Sequence, residues 1–336
     1  MKPKLNLPKL QPTSSNTVNA SVENDPNVSQ VLGSLPKVNP NDLQIGDQLG
    51  HGATSSVCKA RYLKNNQLYA LKTIKFTQKK EVIQTIVNEL HTQSKLDHPN
   101  IVHLFSAFYC NNQVHILMQL IDGESLADYL KFSPTIPERA LGSLAWQSLQ
   151  GLYYLRRHHV IHRDLKPSNI LISKTGQLGI ADFGLAKELR ESMDSAQSFI
   201  GTICYMAPER LKEQDYSFVS DIWSLGLIIY ECAYGKFPFS GDLTSINYWK
   251  LSEIAEQILE VDLPSSYSPG LTTFINRCLQ LDPNKRANVE QLISDPWVVQ
   301  YQDPSNTVFL QQYIQRAERK KDDFVAGKDM ARSDFQ

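Results

Sequence analysis

The chain has 336 residues, of which 41% are apolar, and its formal net charge is −1. That length suits a two-lobed domain of about 250 residues with tails, and the near-neutral charge supplies no basic excess for nucleic acid. The five cysteines (Cys58, Cys110, Cys204, Cys232, Cys278) are scattered and form no C-x-x-C pair, which reads as reduced thiols in a cytosolic protein and excludes a disulfide framework or a zinc site.

Residues 1–42 are rich in Pro, Asn, Ser and Val without a sustained period, the composition of a disordered arm. Their first stretch, "MKPKLNLPKLQPTSSN", lacks the long apolar core of a signal peptide. From Leu43 the pattern becomes strand-like, in "LQIGDQLG", "SSVCKARYL" and "LYALKTIKF", with Gly and Asn–Asn at the turns. "QKKEVIQTIVNELHTQSKL" follows with Val82, Ile86, Val87 and Leu90 at helical spacing, and "HPNIVHLFSAFYCNNQVHILMQL" returns to strands. Beyond Asp122 the chain turns helical, in "SLADYLKF", "ERALGSLAWQSLQGLYYLRRHH", Asp221–Gly235 and "LTTFINRCLQ". The run Asp221–Gly235 is too short and polar for a membrane span, which needs about 20 apolar residues, so it is expected as a buried helix. The tail 298–336 is polar, and "NTVFLQQYIQRAERKK" sets Leu310, Tyr313, Ile314 and Ala317 on one face of an expected docking helix. The expectation is an α+β chain with a small strand-rich lobe (43–121) and a larger helical lobe (122–297).

Several short segments carry chemistry. In "LGHGATSSV", Gly50 and Gly52 leave the backbone bare, so its N–H groups can approach phosphate oxygens. Lys72 ends the apolar strand that follows and can reach phosphates as a cation. Glu89, seventeen residues on, is a carboxylate able to partner it, because an unpaired buried lysine is costly. "VIHRDLKPSNILI" places Asp164, Lys166 and Asn169 within six positions. Asp164 can accept a hydroxyl proton, Lys166 can neutralise charge on a transferring phosphoryl group, and Asn169 offers an oxygen to a hard cation such as Mg²⁺. Asp182, in "ADFG", adds a metal-ligating carboxylate.

Taken together over residues 43–297, these segments resemble the protein-kinase signature set. "MAPE" (Met206–Glu209), "SDIWSLG" (Ser220–Gly226) and "DPNKRA" (Asp282–Ala287) extend the resemblance, which implies a bilobal protein kinase fold that uses ATP and Mg²⁺. It implies that Leu49, Gly50 and Gly52 cover the nucleotide and that Lys72 binds its α/β-phosphates and pairs with Glu89. It implies further that Val57, Ala70 and Leu171 enclose the adenine, that Met118 is the gatekeeper, and that the backbone from Gln119 to Ile121 reads the adenine edge. Asp164 is then the catalytic base, Asn169 and Asp182 the metal ligands, and Glu209 the partner of Arg286. No catalytic position is missing, which argues against a pseudokinase. Ser55 stands where the glycine pattern has its third Gly, and Gln93 where many kinases carry an apolar residue.

Finer features, "HRDLKPSNILI", "DGESLADYL", "YMAPERL" and "DIWSLGLIIYECAYGKFPF", resemble the dual-specificity MAP kinase kinases, closest in texture to plant and protist members. The resemblance implies phosphorylation of a Thr-x-Tyr loop on a MAP kinase, activation by an upstream MAP kinase kinase kinase, and a cytoplasmic location with the nucleus also open. Neither nucleic acid nor membrane is an expected partner. In "ELRESMDSAQSFIGT", Ser198 fills the family's nearer activation site, with Ser192 and Ser195 as further candidates and Asp194 as an alternative fixed charge. A phosphate there adds up to about −2 charge and could dock on Arg163. Lys2 and Lys4 followed by Leu5 and Leu7 look like the family's docking peptide for its MAP kinase, and the Leu310–Ala317 helix like a docking site for the upstream kinase. The alternatives are a related Ste-type Ser/Thr kinase with other substrates and a scaffold that keeps the kinase fold only to bind partners.

Overall fold

The computed structural model describes residues 35–51, 55–75, 90–110, 113–182, 204–212, 217–237 and 263–333. The chain divides into two compact units, one of strands and one mainly of helices.

The first unit is built on a five-stranded antiparallel sheet: β1 (Leu43–His51), β2 (Ser55–Tyr62), β3 (Gln67–Lys75), β4 (Leu104–Cys110) and β5 (Gln113–Gln119), in the order β1-β2-β3-β5-β4. The Asn–Asn turn between β2 and β3 places Asn66 in the left-handed region (φ 58°), a conformation asparagine tolerates well. Because side chains alternate along a strand, the register sorts this sheet into two faces. On one, Leu43, Ala60, Tyr62, Tyr69, Leu71 and Leu117 form an apolar cluster with Val38. The packed region thus reaches back before Leu43, the start expected from the sequence. Leu35 and Val38 are buried, and the Ser106 hydroxyl donates to the carbonyl of Pro36 at 2.5 Å. The periodicity of strands and helices does not show in a Pro-containing lead-in, so this packing left no signal. Residues 90–94 are helical, Leu90 is fully buried, and Gln93 is buried as well. Val82, Ile86 and Val87 lie outside the described residues.

The second unit has a small sheet of β6 (Glu124–Ser125), β7 (Ile170–Ile172) and β8 (Leu178–Ile180). Its helices are α1 (Leu126–Phe132), α2 (Glu138–Arg157), α3 (Pro208–Leu211), α4 (Val219–Tyr234), α5 (Pro269–Cys278), α6 (Val289–Ile293), α7 (Pro296–Val299) and α8 (Thr307–Ser333). α4 is buried on nearly every side, from Ser220 through Ile229 and again at Cys232 and Ala233, as a helix apolar all round must be. It stops at Gly235, which takes φ 79° and donates its N–H to the Glu231 carbonyl at 2.8 Å. No helix among the described residues is long and apolar enough to cross a membrane.

α8 corrects the reading of the tail as a docking helix. The expected face exists, but Leu310, Tyr313, Ile314 and Ala317 are all buried. They pack on α2 and α1 of the same unit, and the Tyr313 hydroxyl donates to the Ser133 carbonyl at 2.6 Å. The face offered to a partner is occupied by the chain itself.

Candidate active site

In the strand unit the pairing register assembles the face opposite the apolar cluster. Lys72 lies between Val57 on β2 and Ile116 on β5, Ala70 pairs with Met118, and Gly50 pairs with Val57. Paired residues share a face, so Val57, Ala70, Lys72 and Met118 stand together on it. Lys72 is only 7% exposed, and Ala70 and Met118 are buried beside it. Among the described residues, a Cβ added at Gly50 would meet nothing within 4 Å. Gln119, after Met118, is exposed, and its backbone N–H donates to the His103 carbonyl at 2.9 Å. Leu49 is exposed on β1. Gly52 and Glu89 lie outside the described residues.

In the helical unit the loop before β7 gathers three of the expected residues. The Lys166 ammonium meets Asp164 Oδ2 at 2.9 Å. Asn169 Nδ2 donates both to the Asp164 carbonyl (2.8 Å) and to Asp164 Oδ2 (3.0 Å), which turns its Oδ1 away as the ligating atom. Asp182 joins them through the backbone, since the N–H of Ala181 donates to the carbonyl of Asn169 at 2.9 Å. Leu171 stands on β7, half buried, between those two ends, and Ile121 begins the segment leading to β6.

Two non-glycine residues here have left-handed backbones, Arg163 (φ 70°) and Asp182 (φ 59°), a conformation that costs about 1–3 kcal/mol and persists only where the surroundings fix it. The fixing groups are residues to which the sequence reading gave no role. Buried Asp221, in the first turn of α4, accepts the backbone N–H of His162 (2.8 Å) and of Arg163 (3.0 Å) through separate carboxylate oxygens. Arg210 Nη1 donates to the Arg163 carbonyl at 2.5 Å. Fully buried His162 accepts the Asp164 N–H on Nδ1 (3.1 Å) and donates from Nε2 to the Ala181 carbonyl (3.0 Å), tying the segments that carry Asp164 and Asp182. Burial lowers the pKa of His162 against the opposing pull of Asp221 and Asp164, so the ring is neutral. The signal for Asp221 was its place in "SDIWSLG", which the spacing alone reads as an ordinary first-turn acid.

The pairing expected between Glu209 and Arg286 is present. Arg286 Nη1 and Nη2 meet Glu209 Oε1 (2.7 Å) and Oε2 (3.0 Å), and the Ser220 hydroxyl donates to Oε1 at 2.7 Å. Arg286 also donates to the carbonyls of Gln280 and Val219 and lies over the Trp223 ring. Burial alone would raise the Glu209 pKa, but the Arg286 hydrogen bonds and charge, with Ser220, bring it below the usual carboxylate value.

The donor set fits a nucleotide and a hard divalent ion. Asn169 and Asp182 offer oxygens, and among the described residues no group of three or more His, Cys, Asp and Glu side chains gathers as a metal site. Side-chain oxygens such as those of Asn169 and Asp182 are the donor type that a small hard cation takes alongside substrate phosphates. Ser192, Ser195, Ser198, Lys2, Lys4, Leu5 and Leu7 lie outside the described residues.

A five-stranded sheet with a buried lysine and a helical unit with this Asp–Lys–Asn loop are the parts of a protein kinase. Residues 43–298 match the model of the protein kinase domain, a fold whose members use ATP and a divalent metal. Mitogen-activated protein kinase kinase 2 of Arabidopsis thaliana is 37% identical over 77% of this chain and 73% of its own. The dual specificity mitogen-activated protein kinase kinase dSOR1 of Drosophila melanogaster is 35% identical over 79% and 72%. Dual specificity mitogen-activated protein kinase kinase 1 of Dictyostelium discoideum is 42% identical over 69% of this chain and 34% of its own. The chain belongs to the MAP kinase kinase family of protein kinases.

Proposed function

We propose that this chain phosphorylates the Thr and the Tyr of a MAP kinase's Thr-x-Tyr loop with Mg²⁺-ATP, and is switched on by an upstream MAP kinase kinase kinase. The supporting observation is the Asp164–Lys166–Asn169 cluster, an acid, a cation and a ligating amide held in mutual contact. Asp164 orients the substrate hydroxyl and takes its proton. Lys166 offsets negative charge on the phosphoryl group in transfer. Asn169 and Asp182 hold Mg²⁺, which when bound neutralises phosphate charge. Lys72 binds the α/β-phosphates, Gly50 and Gly52 leave the backbone open to phosphate, and Val57, Ala70, Met118 and Leu171 accept the adenine.

Ser198, with Ser192 or Ser195 as a second site, receives the activating phosphates, whose charge orders the segment around them. Lys2, Lys4, Leu5 and Leu7 supply the docking peptide, with basic side chains for an acidic patch and leucines for apolar pockets. The setting is the cytoplasm. A general Ser/Thr kinase is less well supported, because the relatives named above are all MAP kinase kinases.

Asp164→Asn tests the assignment. It should lower kcat by about 10²–10⁴-fold, the usual contribution of a positioned base, with ATP affinity retained. Wild-type turnover in this variant would remove Asp164 from the chemistry.

A further inference from the structure

The β7–β8 hairpin carries Asn169 just before its first strand and Asp182 two residues after its second. Its turn end, far from both, is held unusually firmly. Buried Gln147 of α2 donates from Nε2 to the Gly176 carbonyl (3.0 Å) and accepts the Leu178 N–H on Oε1 (2.8 Å). The same Oε1 takes Asn100 Nδ2 at 3.3 Å, and Asn100 donates on to the Leu178 carbonyl at 2.9 Å. The Asn100 carbonyl in turn accepts the Ile180 N–H at 2.9 Å.

Behind the turn stands the start of α8. Gly176 has φ 83°, and a Cβ there would lie 2.3 Å from the Thr307 carbonyl oxygen and 3.0 Å from the Gln311 nitrogen. On the other side β6 pairs with β7, and the Lys174 N–H donates to Asp122 Oδ1 at 3.1 Å. The hairpin is only three paired residues long. The turn thus stands three residue pairs from the base that leads to Asn169 and Asp182.

We propose that the turn end of this hairpin positions the metal pair, with Gln147 and Gly176 as positioning residues. Neither touches nucleotide or metal in this account. Both set the spacing and aim of Asn169 and Asp182, as outer partners of metal ligands do elsewhere. The first turn of α8, at Thr307–Gln311, lies beyond residues 43–298 that match the kinase domain, so a segment outside that domain forms the backstop. The inference rests on the reading of Asn169 and Asp182 as metal ligands.

The test uses the full chain with ADP and Mg²⁺, read by thermal unfolding, alongside kinase assays at varied Mg²⁺. Gln147→Met removes the side chain's hydrogen bonds to Gly176, Leu178, Asn100 and Ser143 at similar volume, and Gly176→Ala drives the turn away from α8. Each should raise the Mg²⁺ concentration for half-maximal ADP-dependent stabilisation by about tenfold, the low end of what losing a direct partner of a metal ligand costs. KM for the protein substrate should change by less than about twofold, because the proposed role sets the metal ligands and not substrate binding. If Gln147→Met does not fold, Gly176→Ala decides alone. An unchanged Mg²⁺ requirement in the folded variants would overturn the positioning role. A wild-type protein in which Mg²⁺ adds nothing to stabilisation by ADP would instead overturn the metal-ligand reading beneath it.

Discussion

His162 accepts a backbone N–H on Nδ1 and donates from Nε2, so a second proton could enter only at Nδ1, against the N–H of Asp164. Burial already lowers its pKa in the folded chain, whereas the unfolded ring titrates near about 6.5. The unfolded state therefore takes up a proton that the folded state refuses. This contribution to stability is intact above about pH 6.5 and is lost as the pH falls below it. Urea unfolding at pH 7.5 and 5.5 should show the decline, and His162→Gln, which cannot titrate, should flatten it. Equal slopes in the two proteins would mean that His162 is not the titrating group. Asp221 is tested in the same assay. Asp221→Ala leaves the backbone N–H groups of His162 and Arg163 without this acceptor and releases the left-handed Arg163. The expected loss is about 3 kcal/mol or more, with kcat falling further than KM. A loss below about 0.5 kcal/mol, the range of an ordinary surface change, would show that other contacts hold the loop.

Between elements, the buried Glu209–Arg286 pair ties the start of α3 to the loop before α6. Arg286→Ala should cost about 3–5 kcal/mol by leaving Glu209 buried and unpaired, and Glu209→Met/Arg286→Met should recover much of it. Denaturant titration of the three proteins separates these outcomes, and an additive double variant would contradict the account. For α8, Ile314→Ala should cost about 2–5 kcal/mol as a core truncation. A free docking face would give almost no change. This helix shows how far the sequence could be read. Its spacing revealed an apolar stripe, and hence that something covers it, but periodicity carries no information about which surface does. The strands were legible for the opposite reason, because alternation sets both the strand and its buried side, and Lys72 shares a face with Ala70 opposite the apolar cluster. Gln147 and Asn100 left no trace, since a polar residue that completes a buried network has the same spacing as one in solvent. Asp164, Lys166 and Asn169 were visible because three such groups within six positions have few structural uses.

At the scale of the whole chain, the order of the segments identifies a kinase and the relatives place it in the MAP kinase kinase family. What makes such an enzyme a relay is its substrate, and that is the central claim to test. The most direct measurement is phosphopeptide mapping of a kinase-dead MAP kinase from the same organism, after incubation with this protein, Mg²⁺ and ATP. The enzyme should carry glutamate at both sites, as Ser192→Glu/Ser198→Glu. The account predicts phosphate on both the Thr and the Tyr of the Thr-x-Tyr loop, absent when Asp164→Ala is added. Strong labelling of generic Ser/Thr peptides with that loop untouched would contradict it.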